Sequence, residues 1–260
     1  MPFNRKKKPE TDEPKLVASL TSPAAEALQK LQSNISFAAI DGKMNVLGIT
    51  SAVQGEGKST LATNMAYVYA QRGARVLLVN LDLRRPSLHH FFKIKNTIGV
   101  EEYVAGEADL KSIINHLDNG IDLINAGTRT PFPTKILSSP KMDQLFKEIR
   151  AMDYDYVIVD CTPSLMLPDA ALVAKYVDGF LFICSQYVSK KKEVKAAVRS
   201  LQSNGINIIG LVMTNVTDYR DIDEGYHSHY YYYDKYYKYD DEEEAPKAEA
   251  KPEEKKEETK

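Results

Sequence analysis

The sequence has few cysteines and no long apolar run, and these two absences limit the class of protein. Its 260 residues include only Cys161 and Cys184, which excludes a disulfide framework and suits a reducing cytosol. Each cysteine ends an apolar run and is interpreted as a small buried hydrophobe. No stretch of about 18 apolar residues occurs, so no membrane span is predicted. The basic residues 1–8 precede no apolar stretch, so we predict no secretory signal and a cytoplasmic location.

A strong charge of either sign is also absent. The chain has 34 basic and 36 acidic residues and a formal net charge of -2, so nothing global indicates a nucleic-acid partner, and none is predicted. No internal repeat is present. The hydrophobic fraction of 43% is ordinary for a globular protein. Together with the length, it predicts one domain with tails or two small domains.

Apolar runs of strand length alternate with segments of helical length through the middle of the chain. The predicted strands are 46–51, 75–81, 121–125, 156–160, 180–184 and 206–213. One predicted helix begins at Pro23, and the others are 60–69, 141–152, 168–176 and 189–203. Strands that are apolar on both faces are typical of a parallel sheet covered on both sides. The pattern therefore predicts an α/β fold, a mostly parallel sheet with helices on both faces.

Composition divides the chain into four predicted parts. Residues 1–20 are polar and contain proline, which is typical of a flexible arm. Residues 21–220 carry the strand and helix pattern and form the main domain, with a core from about 45 to 216. Residues 221–239 contain eight of the 16 tyrosines. Residues 240–260 are almost entirely Asp, Glu, Lys, Ala and Pro, which predicts a disordered charged tail.

A glycine-rich loop joins the first strand of the core to the next helix. Its residues are Gln54, Gly55, Glu56, Gly57, Lys58, Ser59 and Thr60. A strand, a glycine loop and a helix that opens with Lys-Ser-Thr are the context of a phosphate-binding P-loop, although Ala52 replaces the first glycine of the common pattern. Glycines let backbone N–H groups converge on an anion, and the helix N-terminus adds its dipole. We expect Lys58 to bind the outer phosphates and Ser59 to serve magnesium, in a fold of the P-loop NTPase type.

Polar residues end two other strands at the edge of the sheet that carries this loop. Asp160 follows an apolar run, and a carboxylate at this point of a P-loop protein holds the metal, usually through water. Because the carboxyl ends of parallel strands open on one crevice, Asp160 can lie near the loop. Asn80 and Asp82 alternate at the end of the second strand and are expected to point the same way. Arg84 and Arg85 follow them, as part of the site or as a solvated basic turn.

Three segments together resemble the bacterial tyrosine kinases of capsule and exopolysaccharide operons. They are 55–60 (GEGKST), 76–86 (VLLVNLDLRRP) and 156–163 (YVIVDCTP), and the tyrosine cluster completes a resemblance to the Gram-positive cytoplasmic type. It implies an ATP- and Mg²⁺-dependent kinase domain over 21–220 that phosphorylates tyrosines of its own C-terminal tail, mainly between neighbouring subunits. It also implies a homo-oligomer, a cognate tyrosine phosphatase and a role in polysaccharide biosynthesis. A membrane-embedded activator or chain-length regulator would recruit the protein to the inner face of the membrane.

The resemblance also implies roles for individual residues. Residues 54–60 would bind the nucleotide, with Lys58 as a catalytic residue that holds phosphates. Ser59, Asp82 and Asp160 would serve magnesium, and Asp82 matches the second acid of the family's catalytic Asp-x-Asp pair. The phosphoacceptors would be Tyr226, Tyr230, Tyr231, Tyr232, Tyr233, Tyr236, Tyr237 and Tyr239.

Several positions depart from the family pattern. Asn80 stands where the family has the first Asp of that pair, the usual candidate for accepting the tyrosine proton. Loss of general-base assistance lowers the rate by about 10² to 10⁴, but the loose transition state of phosphoryl transfer needs little activation of the nucleophile, and the second acid can serve as base. Gln29 and Gln32 replace arginines of a helix motif that supports ring assembly. Phe132 and Lys135 stand where Asn and Glu are common.

Three functions remain compatible with these residues. The favoured one is a working but slow protein-tyrosine autokinase. The second is a degenerate, non-catalytic ATP-binding regulator of polysaccharide assembly, which Asn80 favours. The third is a partition-type dimer-switch ATPase, a class that usually has a further lysine five places before the P-loop lysine, where this chain has Val53. The tyrosine cluster itself is either a substrate or a surface-binding tail, and the acidic residues after it argue against nucleic acid because they repel phosphates.

Overall fold

The computed structural model describes residues 16–17, 19–38 and 44–216 of the chain. Most of the predicted arm, the tyrosine cluster and the charged tail lie outside the described residues, so the predictions made for them stay predictions. In the described part of the chain, no helix is both long and apolar enough to cross a membrane.

Seven strands of the described residues form one sheet in the order β3-β4-β2-β5-β1-β6-β7. All neighbouring pairs are parallel except β3 with β4. The strands are Val46–Ser51 (β1), Val76–Asn80 (β2), Ile114–His116 (β3), Ile121–Ile124 (β4), Tyr156–Asp160 (β5), Gly179–Ser185 (β6) and Ile208–Thr214 (β7). The predicted fold class, a mostly parallel α/β sheet with helices, is confirmed.

The described ranges contain nine helices. They are Pro23–Ala38 (α1), Lys58–Gln71 (α2), Leu88–Phe91 (α3), Val100–Ala105 (α4), Leu110–Ile113 (α5), Pro133–Leu137 (α6), Pro140–Ala151 (α7), Asp169–Val173 (α8) and Lys191–Ser203 (α9). The four long ones match the predicted helices within a few residues. Helices α1, α7 and α9 have an apolar stripe at helical spacing, whereas α2 is buried on most of its surface.

Burial on both faces of the sheet explains the continuous apolar runs. Successive residues of a strand point to opposite faces, and in β2 the side chain of Val79 belongs to one core while that of Leu78 belongs to the other. Leu145 of α7 packs in the first core, and Met65 of α2 packs in the second. Helices therefore cover both faces, and the carboxyl ends of the central strands stay open at one edge.

Short elements account for most of the differences from the predicted pattern. The antiparallel strand β3 and helices α3 to α6 have three to six residues each, too few to produce a readable periodicity. The helix predicted over 168–176 is shorter, at Asp169–Val173. Helix α9 begins at Lys191 and not at Ser189, whose side chain donates a hydrogen bond to Glu56.

Candidate nucleotide and magnesium site

The predicted phosphate loop lies between β1 and α2, which end and begin at Ser51 and Lys58. Gly55 and Gly57 have φ angles of 83° and 95°, a left-handed conformation that glycine adopts without steric cost. Helix α2 has no side-chain cap at its N-terminus, which leaves its first N–H groups for an anion. Lys58 is only 6% exposed. The sequence therefore folds locally into a phosphate cradle with a largely buried cation in it.

Glu56 points inward from the centre of this loop and is completely buried. Its Oε2 accepts a hydrogen bond from the backbone N–H of Val53 at 2.7 Å, and its Oε1 accepts one from the hydroxyl of Ser189. Its carbonyl oxygen accepts a hydrogen bond from Thr214 Oγ1 at 2.7 Å. These contacts tie the loop to the ends of β6 and β7. Sequence reasoning missed Ser189 and Thr214 because they lie 133 and 158 residues away along the chain.

The structure brings Ser59 and Asp160 together, since Ser59 Oγ donates a hydrogen bond to Asp160 Oδ2 at 2.6 Å. Asp160 is completely buried. Burial raises the pKa of Asp160 to about 6, while the charge of Lys58 and the Ser59 hydrogen bond act in the opposite direction. The other oxygen, Oδ1, is buried without a hydrogen-bond partner. A buried acceptor left unpaired is costly, so this atom is suited to accept a hydrogen bond from a ligand or to bind a metal.

Asn80 and Asp82 occupy different surroundings at the end of β2. Asn80 Oδ1 accepts the backbone N–H of Asp82 at 3.1 Å, whereas its Nδ2 is buried without a partner. Because β2 ends at Asn80, Asp82 belongs to the following loop, and strand alternation does not set its direction. Asp82 is 7% exposed and its Oδ1 accepts the N–H of Arg85 at 2.9 Å. Burial raises the pKa of Asp82, while that N–H and the charge of Lys58 lower it.

These donors fit a magnesium ion that is held jointly with nucleotide phosphates. Among the described residues, no group of three or more His, Cys, Asp or Glu could hold a metal by itself. Magnesium usually keeps several waters and binds through one or two carboxylates plus phosphates. The Ser59 hydroxyl, Asp160 Oδ1 and Asp82 offer that donor set. Thr162 Oγ1, buried and unpartnered two residues after Asp160, is a further oxygen that sequence reasoning missed.

Arg84 and Arg85, for which the sequence allowed two interpretations, both make hydrogen bonds. Arg84 donates two hydrogen bonds, of 2.6 and 2.9 Å, to the carboxylate of Asp169, which is 1% exposed. Arg85 Nη1 donates to Gln54 Oε1 at 2.8 Å. Arg84 therefore binds the loop after β2 to the first turn of α8, and Arg85, although exposed, contacts the phosphate loop.

The other predicted residues are less informative. Thr60 is exposed on α2, and Gln54 is exposed apart from its contact with Arg85. Gln32 Nε2 donates to the hydroxyl of Tyr156 at 3.1 Å, so this glutamine serves a contact within the chain. The eight candidate acceptor tyrosines lie outside the described residues.

The chain is similar to one domain family and to several bacterial tyrosine-protein kinases. The AAA domain family matches residues 44–186. The tyrosine-protein kinase YwqD of Bacillus subtilis (strain 168) is 33% identical over 215 residues, which are 81% of this chain and 90% of that protein. The solved kinase domain of Escherichia coli tyrosine kinase ETK is 34% identical, with a TM-score of 0.69, and the match covers 75% of this chain and 78% of that one.

The relatives differ in length. A Klebsiella pneumoniae protein named as a kinase in the cps region is 32% identical over 82% of this chain, but the chain spans only 30% of that protein. The AAA domain match nevertheless covers more than half of the chain, and the match to YwqD covers nine tenths of that relative. The chain therefore belongs to the family of bacterial tyrosine-protein kinases built on an AAA-type P-loop domain.

Proposed function

We propose that the protein is an ATP-dependent protein-tyrosine kinase that phosphorylates the tyrosine cluster of a second copy of the chain. One observation carries this proposal: Ser59 and Asp160 are hydrogen-bonded at 2.6 Å, close enough to Lys58 for its charge to lower the pKa of Asp160. The unpartnered Oδ1 of Asp160 leaves a position for a magnesium ligand. ATP and Mg²⁺ are the cofactors that this arrangement supports.

Binding of the nucleotide would use backbone and side chain together. The N–H groups of the loop and of the first turn of α2 surround the phosphates, and Lys58 neutralises the outer ones. When bound, magnesium neutralises charge on the β- and γ-phosphates. Ser59, Asp160 and Asp82 would hold it. Because Lys58 and Asp160 are both largely buried, their charges are weakly screened by water.

In the transfer step, the phenolic oxygen of an acceptor tyrosine bonds to the γ-phosphorus while the bond to the β–γ bridging oxygen breaks, and ADP leaves. Tyrosine has a pKa of about 10 when free, so its proton must be taken up during the reaction. We assign this proton to the carboxylate of Asp82, which, like Asp160, lies close enough to Lys58 for that charge to lower its pKa. Asn80 cannot accept a proton, so we expect a slow enzyme.

The proposed substrate is the tyrosine cluster, which holds half of the 16 tyrosines of the chain. The family membership supports a membrane-embedded activator, a homo-oligomer and a cognate tyrosine phosphatase as partners, with recruitment to the inner face of the membrane. The name of the Klebsiella relative supports a role in capsule or exopolysaccharide production. No observation on the described residues favours the dimer-switch ATPase.

A second candidate function is a nucleotide-binding regulator without kinase activity. The observation that favours it is Asn80, whose fully buried side chain stands at the end of β2 and supplies no base. In this case Lys58, Ser59 and Asp160 bind nucleotide, but the tyrosine cluster receives no phosphate.

The experiment that separates the two candidates tests transfer between chains. A variant with all eight cluster tyrosines changed to Phe keeps its active site, and Lys58→Met keeps its tyrosines. The two are mixed with ATP, magnesium and the activator, and phosphotyrosine is detected by blotting and mapped by mass spectrometry. We expect phosphate on the Lys58→Met chain. If neither this mixture nor the wild-type protein incorporates phosphate, while Asn80→Asp does, the protein is a regulator.

A further inference from the structure

A cavity of about 490 Å³ opens beside the loop that follows β2. Its lining residues are Arg84, Arg85, Arg129, Thr130, Pro131 and Pro133. We propose that this basic cavity binds the carboxylates of an acidic peptide segment, namely the run 240–244 (DDEEE) of a second copy of the chain. The proposal rests on the proposed function, because it gives the kinase a subsite for the residues next to its acceptor tyrosines.

The position of the cavity suits a protein substrate. Arg84 and Arg85 follow β2, and residues 129–133 follow β4, which pairs with β2 in parallel. Both segments therefore meet at the carboxyl edge of the sheet. Because the strand order is β4-β2-β5-β1, the cavity lies on the β2 and β4 side of the phosphate loop, away from β6 and β7. Arg85 joins the cavity to both neighbours, because its backbone N–H donates a hydrogen bond to Asp82, the proposed base, and its guanidinium donates one to Gln54 of the phosphate loop.

The charges of the cavity are only partly compensated. Arg84 is paired with the buried carboxylate of Asp169 at 2.6 Å. No acidic side chain of the described residues lies within 4.0 Å of the guanidinium of Arg85 or Arg129, and both arginines are exposed. Glu101 interacts with Thr130 in the lining but reaches neither arginine. Two planar guanidinium groups without carboxylates are suited to bidentate binding of carboxylates.

An aromatic residue lies among the lining residues in the sequence. Phe132 stands between Pro131 and Pro133 and is 64% exposed. A segment that combines aromatic and acidic residues matches an exposed ring next to two arginines that have no carboxylate partner among the described residues.

The tyrosine cluster and the acidic run are joined without a gap, since Tyr239 is followed directly by 240–244. An extended chain advances about 3.3 Å per residue. With Tyr237 or Tyr239 at Asp82, the acidic run would begin one to three residues further on, next to Arg85, whose N–H lies 2.9 Å from Asp82 Oδ1. The same segment therefore offers a tyrosine to the reaction and carboxylates to the cavity.

The test measures binding without phosphate transfer. A fluorescein-labelled peptide of residues 233–246 is titrated with full-length protein in the absence of ATP, and its anisotropy is followed. A second peptide has 240–244 changed to Asn-Asn-Gln-Gln-Gln, and a third combines that change with phosphotyrosine at 239. The protein variants are Arg129→Glu and, as a control with the same charge change, Arg72→Glu, an exposed residue at the far end of α2. Each protein carries the same C-terminal tail, which can compete with the labelled peptide. This competition is therefore the same for wild type and both variants.

We expect Arg129→Glu to bind the native peptide on the order of tenfold more weakly than wild type, because a charge-assisted contact is lost. Arg72→Glu should bind like wild type, and the neutral peptide should bind weakly to all three. Equal binding of the native peptide by Arg129→Glu and wild type would overturn the proposal. Tighter binding of the phosphotyrosine peptide than of the native one would assign the cavity to phosphates and overturn it as well.

This test is independent of kinase activity. If the protein binds the acidic peptide through Arg129 but transfers no phosphate, the proposed function is contradicted and the proposed docking site stands. A protein that transfers phosphate but does not distinguish the acidic from the neutral peptide contradicts only the docking site.

Discussion

Asn80 and Asp160 are register partners on the adjacent parallel strands β2 and β5. Both side chains are completely buried, and each has a polar atom without a partner, Nδ2 of Asn80 and Oδ1 of Asp160. Neighbouring strands lie about 4.8 Å apart, so a carboxylate at position 80 would stand next to that of Asp160 with little water between them. The amide of Asn80 therefore avoids a repulsion between two buried carboxylates in the nucleotide-free protein, but it cannot accept a proton.

Replacing Asn80 with Asp should lower the stability of the nucleotide-free protein and raise its kinase activity. A second buried carboxylate beside Asp160 is expected to lower the free energy of unfolding of the nucleotide-free protein by about 1–3 kcal/mol at pH 7.5. The same change should raise the initial rate of phosphate incorporation by a factor within the range of about 10² to 10⁴ that a general base supplies. Chemical denaturation without ligand, and radiolabelled phosphate transfer with saturating Mg·ATP, measure the two effects.

The matched control for this change is Asn125→Asp. Asn125 is also a completely buried asparagine, directly after β4. Its replacement should destabilise the protein by a similar amount without raising the rate of transfer. An equal gain of activity in both variants, or none in Asn80→Asp, would contradict the role given to position 80.

Asp160→Asn should stabilise the empty protein. Because burial raises the pKa of Asp160 from 3.8 to about 6, the folded state resists ionisation of this carboxyl, and ionised Asp160 is destabilising at pH 7.5. At about 1.4 kcal/mol per pKa unit, the shift corresponds to roughly 2–3 kcal/mol. We expect the variant to unfold at higher denaturant concentration at pH 7.5, with the gain fading as the pH falls to about 4. A lower stability of the variant at pH 7.5 would be the contrary result.

Magnesium-dependent nucleotide binding should weaken below pH 6. The carboxyl of Asp160 must be ionised to bind the metal, and protonation competes with it. The strengthening of ADP binding by magnesium should therefore fall by up to about tenfold per pH unit below the pKa of about 6. Isothermal titration calorimetry with and without magnesium, between pH 5 and 7.5, measures this. The nucleotide phosphates also titrate in this range, so Asp160→Asn, in which the magnesium effect should be small at every pH, is the reference.

The contact between Ser189 and the buried Glu56 should support the shape of the phosphate loop. Ser189→Ala leaves the buried Glu56 Oε1 without its donor, and it also leaves the N–H of Ser185 without its acceptor. We expect a loss of about 1–3 kcal/mol in unfolding free energy, together with weaker ADP binding. Ser189→Thr should restore both, because it keeps the hydroxyl. Ser203→Ala, at the exposed end of α9, should change neither, and an equal effect of both alanine variants would remove this role from Ser189.

The amino-acid sequence determines the fold class and the phosphate loop because both depend on local patterns. Continuous apolar runs of strand length predict buried parallel strands, and a strand, glycines and Lys58-Ser59 in direct succession predict the cradle. The meeting of Ser59 and Asp160 also follows from the sequence, since parallel strands end at one edge. For the fold class and the loop, the physical cause lies in residues that are neighbours in the sequence, and for Ser59 and Asp160 it lies in the common direction of the strands.

Only the tertiary structure decides the contacts between distant parts of the chain. The link from Glu56 to Ser189 and Thr214, the pairing of Arg84 with Asp169, and the joining of Arg85 with Arg129 in one cavity connect segments dozens of residues apart. Polar contacts of this kind have no period and no local signature, because they depend on which loops the sheet order brings together. The sequence predicts where phosphate binds, and the packing of the loops decides which side chains surround it.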